Sequence, residues 1–208
     1  MTIQSDSMTL VLAGRWNRYI FTPTWVAENL FQTPEVRVEV AIDNLEAPIR
    51  YEYQNIRFAI EPARIIFTSL ENEPEVFTSI ESKAKHLCEL LPQTPVIGYG
   101  INIVFVCDPV PLIVSNLLSI PDTGRFSDNL ITINSQTVTR KLDLDGQVCN
   151  LSVAIEGSKA IFSFNFHTVA ATASIIAEAL AGKFSANYTK AREIMNNIYN
   201  VQLEVSEE

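Results

Sequence analysis

The sequence predicts an α+β fold in which antiparallel β-meanders pack against amphipathic helices. Three observations carry that expectation. Apolar and polar residues alternate at a two-residue period in several separate stretches, the rhythm of strands with one buried face. Elsewhere the apolar spacing lengthens to three and four residues, as a helix requires. Short turn signals join neighbouring extended stretches, which makes the strands antiparallel.

Residues 8–13 open the chain's regular structure as a short strand. Thr22-Pro23-Thr24 then supplies a cap and a proline for a helix that runs to about Phe31, with Trp25, Leu30 and Phe31 on its apolar side. The clearest alternation follows: Val36, Val38, Val40 and Ile42 against Arg37, Glu39, Ala41 and Asp43. Tyr51 and Tyr53, then Ile56, Phe58 and Ile60, continue the same rhythm. Glu61-Pro62-Ala63-Arg64 turns the chain, and residues 65–70 return as a mostly apolar strand. Residues 73–91 form an amphipathic helix with Val76, Phe77, Ile80, Ala84, Leu87, Cys88 and Leu91 on one stripe. Pro92 and Pro95 end it, and residues 96–107 form a long apolar strand.

Residues 108–126 hold Pro109, Pro111, Pro121 and Gly124 and read as a linker or crossover with one short helical piece near 112–118. A second strand-rich stretch starts near Leu130. Val138, Leu142 and Leu144 face one way, and Asp145-Gly146 signals a hairpin. Leu151, Val153 and Ile155 alternate next, Glu156-Gly157-Ser158 turns, and residues 160–166 return. Helices over about 168–181 and 183–200 close the order, ahead of an acidic tail from Val201. Both halves therefore read as meandering strands followed by a helix. The expected organisation is an N-terminal α+β lobe over 1–107, the linker over 108–126 and a C-terminal lobe over 127–208.

Composition narrows the class. An apolar fraction of 47% beside 19% charged residues supports a substantial core and argues against general disorder. The 208 residues suit one large domain or two lobes of about 100 residues each. The longest uncharged run, from Leu90 to Cys107, is broken by Pro92 and Pro95 and is too short to span a membrane as a helix. The polar N-terminus has no basic segment leading into an apolar one, so no secretory signal is expected, and the cytoplasm is the expected location. Cys88, Cys107 and Cys149 occur singly, without the paired spacing of a zinc site, and are expected as reduced, buried thiols. A formal charge of −9 with dispersed basic residues excludes nucleic-acid binding through bulk charge and opposes adhesion to anionic membranes.

One resemblance adds to this reading. The segment Phe162-Ser163-Phe164-Asn165-Phe166-His167, leading into one helix and then a second over 184–199, resembles the C-terminal part of a sporadically distributed, uncharacterised bacterial family. Pro95-Val96-Ile97-Gly98-Tyr99-Gly100-Ile101-Asn102, after an amphipathic helix, is similar to that family's central strand. Together these motifs cover about half of the chain. The resemblance implies a two-lobed α+β protein and brings no catalytic residues.

Few residues are arranged for chemistry. His86 sits beside the apolar stripe of its helix, as a boundary residue. His167 lies where a strand is expected to become a helix, and Asn165 or Glu178 are groups it could meet. With Tyr99 and Asn165 it forms the candidate ligand-binding set, in a pocket between the lobes beside the linker. Asp143-Leu144-Asp145-Gly146 has the look of a calcium loop, yet Lys141 and Ser152 occupy the places of required oxygen ligands. Gly98-Tyr99-Gly100 precedes a strand and not a phosphate-binding helix, so a bulge or close packing explains it. No hydrolase elbow, Walker loop, zinc-protease or kinase signature is present. No metal and no cofactor are expected.

The last helix carries Phe184, Tyr188, Ala191, Met195 and Ile198 at alternating four- and three-residue steps, the spacing of a packing seam. Residues 169–181 are alanine-rich and need cover on more than one side. Phe184, Tyr188, Met195 and Ile198 are therefore the candidate interface, and the strand over 36–42 offers a second association route by edge pairing. The function expected is a protein-interaction or assembly module that self-associates or binds another protein. The alternative is an enzyme or small-molecule binder with its pocket near His167.

Overall fold

A computed structural model describes residues 2–3, 7–41, 48–119, 121–144 and 146–202. Ile42 and Asp43 of the first alternation, Asp145 of the hairpin and residues 203–208 of the tail lie outside the described residues. The strands are β1 (Thr2–Ile3), β2 (Met8–Gly14), β3 (Arg37–Glu39), β4 (Arg50–Tyr53), β5 (Ile56–Glu61) and β6 (Arg64–Ser69). In the second half they are β7 (Val96–Cys107), β8 (Ser135–Leu144), β9 (Gln147–Glu156) and β10 (Lys159–Val169). All belong to one antiparallel sheet in the order β3-β4-β5-β6-β2-β7-β10-β9-β8, with β1 also pairing with β7.

The order has an internal logic. In each half the first strand pairs with the last strand of the meander that follows it: β2 with β6, and β7 with β10. The two first strands then pair with each other, Leu10 opposite Ile101 and Leu12 opposite Tyr99, and join the halves in one sheet. The chain passes between halves through α2 (Pro74–Leu90), and the second half contains α3 (Leu112–Leu117), α4 (Thr123–Asp128), α5 (Ala173–Ala179) and α6 (Lys183–Tyr199). Near the start, α1 (Pro23–Trp25) runs on into a π-helical turn, Val26–Phe31.

The helix α2 packs on both α5 and α6, and all three lie on the same face of the sheet. Alternation sends Leu10, Phe67, Ile103, Phe105, Phe162 and Phe164 into that layer, all buried. Phe77 of α2 stacks on Phe184 of α6 with centroids 4.7 Å apart, and Tyr188 lies 5.2 Å from Phe77. Such aromatic pairs add about 0.5–1.5 kcal/mol each beyond their buried area. One carboxylate enters the layer. Glu81, 6% exposed, accepts hydrogen bonds from the backbone N–H of Gly182, at 2.7 Å, and of Phe184. Those amides are the free donors at the start of α6, where the helix dipole also favours a negative charge.

Several expectations change. The alternation over 36–42 yields only the three-residue β3, and Val38 and Val40 are exposed. The reason is position: β3 is the last strand of the sheet, and no neighbour extends or covers it among the described residues. The helix expected from about 168 begins at Ala173, because β10 continues through His167, Thr168 and Val169 against Gly100, Tyr99 and Gly98. Thr172 caps the helix, its hydroxyl accepting from the Ile175 N–H. The strand expected from Leu130 starts at Ser135, after an exposed approach. The 108–126 crossover carries two short helices, α3 and the start of α4.

Cys88, Cys107 and Cys149 are free and buried. Burial pushes the Cys88 thiol up to about 12, with the nearby Glu89 charge adding to the effect. Burial pushes Cys149 up to about 11, partly offset by a backbone hydrogen bond from Asn165. The unfolded chain ionises these thiols near their ordinary value of 9.0, whereas the folded chain does so only at about 12 and 11. The folded state therefore binds more protons between those values, and stability is expected to fall as pH rises through that window. Urea melts at increasing pH check this; a Cys88→Ser, Cys149→Ser variant should show a shallower decline above the ordinary thiol value.

Candidate functional site

The face of the sheet opposite the helices carries no packed element among the described residues, and most of its outward side chains are half-exposed or exposed. Cross-strand register decides what this face presents. Thr9 lies opposite Asn102, Asn102 opposite Asn165, Asn165 opposite Asn150, and Asn150 opposite Lys141. The first four form a hydrogen-bonded ladder over β2, β7, β10 and β9. Asn102 Nδ2 donates to Thr9 Oγ1 at 2.9 Å, Asn165 Nδ2 to Asn102 Oδ1 at 2.7 Å, and Asn150 Nδ2 to Asn165 Oδ1 at 3.2 Å. Every donor points the same way, so the amide dipoles align, and each Nδ2 keeps a second hydrogen for an outside acceptor.

The row continues on the other side of Thr9 through Thr68, Arg57, Glu52 and Arg37. There it turns ionic: Arg57 meets Glu52 at 2.8 Å and Arg37 meets Glu52 at 3.3 Å. Charge thus gathers at the outer strands. Between Thr68 and Ser152 the outward positions include Ile66, Thr9, Val11, Asn102, Val104, Ser163 and Asn165; among the described residues no carboxylate, lysine or arginine lies in the middle of the patch, and His167, opposite Gly100, stands at its border.

The candidate ligand set divides between two faces. Asn165 and His167 both point out from β10 onto the open face, whereas Tyr99, 1% exposed, points into the helix layer from β7. His167 is exposed opposite Gly100 and Val148, and its ring has no hydrogen-bond or ion-pair partner among the described residues. Glu178 belongs to α5, on the other side of the sheet. His86 Nε2 lies 2.9 Å from the Asn29 carbonyl and ties α2 to the π-helical turn. Asp143 Oδ1 accepts from the Gly146 N–H at 2.9 Å, so that carboxylate closes the hairpin.

The candidate interface on α6 is largely used up within the chain. Phe184 and Met195 are buried and Tyr188 is wedged between Phe77 and Phe105, because α6 lies on its own sheet; only Ile198 of the four is exposed. The edge route through β3 is short, and its Arg37 and Glu39 sit 3.6 Å apart as a charged pair, a common way to blunt a strand edge.

Asn102 and Asn150 did not stand out in the sequence. Asparagine is depleted from strands, and three of them at outward positions within Val-, Ile- and Phe-rich stretches was the available signal. Sequence gave no register to place them side by side. The arrangement defines an α+β protein whose single antiparallel sheet is backed by helices on one face and open on the other. No protein-family model matches the chain, and no curated protein sequence matches it. Among the described residues no helix is long and apolar enough to cross a membrane.

Proposed function

We propose that this protein is a non-enzymatic assembly module that self-associates, the uncharged middle of its open sheet face packing on the same face of a second copy. The observation that carries the reading is the distribution of charge: among the described residues the patch centred on Val104 and Ser163 holds no carboxylate, lysine or arginine, His167 stands at its border, and ion pairs lie toward its margin. Interfaces between proteins have that composition, charged residues being depleted at the core and kept for the rim. Five strands at about 4.8 Å spacing, over roughly seven residues at about 3.4 Å each, give a patch of roughly 24 by 24 Å. That is roughly 580 Å², about three-quarters of one side of a standard interface of about 800 Å². The amide ladder favours recognition over catalysis, since its cross-strand hydrogen bonds fix the side chains in place and its remaining N–H donors face outward to a partner's acceptors.

The equivalence of the β2–β6 and β7–β10 pairings supports reading the halves as two similar lobes, in keeping with the bacterial family the sequence resembles. Three buried free thiols fit a reducing compartment, and we place the protein in the cytoplasm, with neither nucleic acid nor membrane as partner. A ligand pocket at His167 draws no support from its two cross-strand neighbours, Gly100 and Val148, neither of which is an acid or a nucleophile.

Size exclusion with light scattering tests the association. The chain is expected to run as a dimer at micromolar concentrations. Val104→Glu and Ser163→Glu, which place a charge in the patch at half-exposed positions, are expected to give folded monomers. A wild-type chain that stays monomeric at high concentration would rule the proposal out.

A further inference from the structure

The segments that cross from β2 to β3 and from β7 to β8 start alike and end differently. The Gly14 N–H donates to the Ala63 carbonyl at 3.0 Å and the Val110 N–H to the Ser158 carbonyl at 2.8 Å, so each crossover leaves its first strand against the last hairpin of its half. The first then buries Phe21, Val26, Leu30 and Phe31, and Tyr51 of β4 is fully buried beneath it, its hydroxyl donating to the Phe21 carbonyl. In the second half β8 holds the place of β4, each lying three strands out from the first strand of its half. None of its inward side chains is buried: Gln136, Val138, Leu142 and Leu144 are half-exposed and Arg140 is exposed. Beyond Leu118 no described residue of the second crossover is buried either. Phe126, Leu130, Ile131 and Ile133 stand exposed on it. Leu130 is the clearest case. Its side chain is 95% exposed and its backbone sits at φ 59°, a left-handed form that bulky side chains avoid. Neither packing nor backbone preference holds it there.

We infer that residues 122–133 are a strap that closes over the inward face of β8, as the first crossover covers β4. Closed, it lays Phe126, Leu130 and Ile131 on Val138 and Leu142 and brings Asp128 to Arg140, which lies near Tyr199 of α6. Asp128 and Arg140 are both exposed and make no ion pair with each other or with any other described residue, so each is free to take the other. Open, the strap leaves two apolar surfaces of one chain in water; closed, it removes both. The strap works on the helix side of the sheet and does not rest on association through the open face.

Urea denaturation of the full chain carrying Val104→Glu, which sets aside any association through the open face, tests closure within one chain. The open and closed arrangements give Leu130→Gly opposite signs. In a strap that stays open, glycine adopts φ 59° freely and no packed side chain is lost, so the midpoint holds or rises. In a strap that closes, the burial of Leu130 is lost, and the midpoint is expected to fall by about 0.3 M urea or more. Adding Leu142→Ser is expected to remove at least about half of that fall, because the two side chains share one contact. Asp128→Lys and Arg140→Glu are each expected to lower the midpoint, and the two together to restore most of the loss. The inference is overturned if Leu130→Gly keeps or raises the midpoint, if its effect is the same beside Leu142→Ser, or if the exchanged charges restore nothing. A midpoint that moves with protein concentration would overturn it too, by assigning the contact to a second copy.

Discussion

Alanine at position 98 is expected to cost the fold about 3 kcal/mol or more, a large share of the roughly 5–15 kcal/mol by which domains are stable. A Cβ at Gly98 would lie 2.4 Å from the Thr168 carbonyl oxygen and 3.3 Å from the Val169 Cα. Both are backbone atoms of the facing strand, so relief requires β7 and β10 to move apart where their pairing ends at Gly98 and Val169. Gly100 is the internal control. There a Cβ would meet Asn165 Nδ2 at 3.4 Å, an ordinary contact, and Gly100→Ala is expected to change stability by less than about 1 kcal/mol. Urea denaturation of both variants measures the contrast, and a Gly98→Ala midpoint equal to that of Gly100→Ala would show that the strands do not approach as described.

Glu81→Ala is expected to cost about 2–4 kcal/mol. The substitution removes a buried carboxylate that accepts from the Gly182 and Phe184 amides, and strands the buried Phe184 donor away from water. It also takes a negative charge from the start of α6. Glu81→Gln retains an acceptor for one amide but turns an NH2 group toward the other, and should fall between wild type and alanine. The loss should appear as a lower urea midpoint with unchanged slope. An Ala variant as stable as wild type would mean that solvent already reaches the Phe184 amide.

Local period made much of this architecture readable. The stripe from Val76 to Cys88 gave α2 to within a residue at each end, and the run from Val96 to Cys107 gave β7 in full. Errors fell where a local pattern met a non-local constraint. Thr168 and Val169 precede an alanine-rich run and read as helix, but pairing with Tyr99 and Gly98 holds them in the sheet. The seam on α6 was visible, and its partner was not: Phe77, more than a hundred residues earlier, fills the place assigned to another subunit. Glu81 looked like one more acidic residue on a helix, since its amide donors lie a hundred residues away. The asparagine ladder depends on the register of four strands, two of them joined only across the middle of the chain.

The pairing of β2 with β7 has a consequence for biosynthesis. The first half holds every partner of β3 to β6 and one of the two neighbours of β2, so it can assemble its sheet while the remainder is still being translated. Until residues 96–107 leave the ribosome, at about 5–20 residues per second, the other border of Met8–Gly14 stays vacant. In that interval two nascent chains on one message could exchange their central strands, and slow decoding of the following codons would lengthen the exposure.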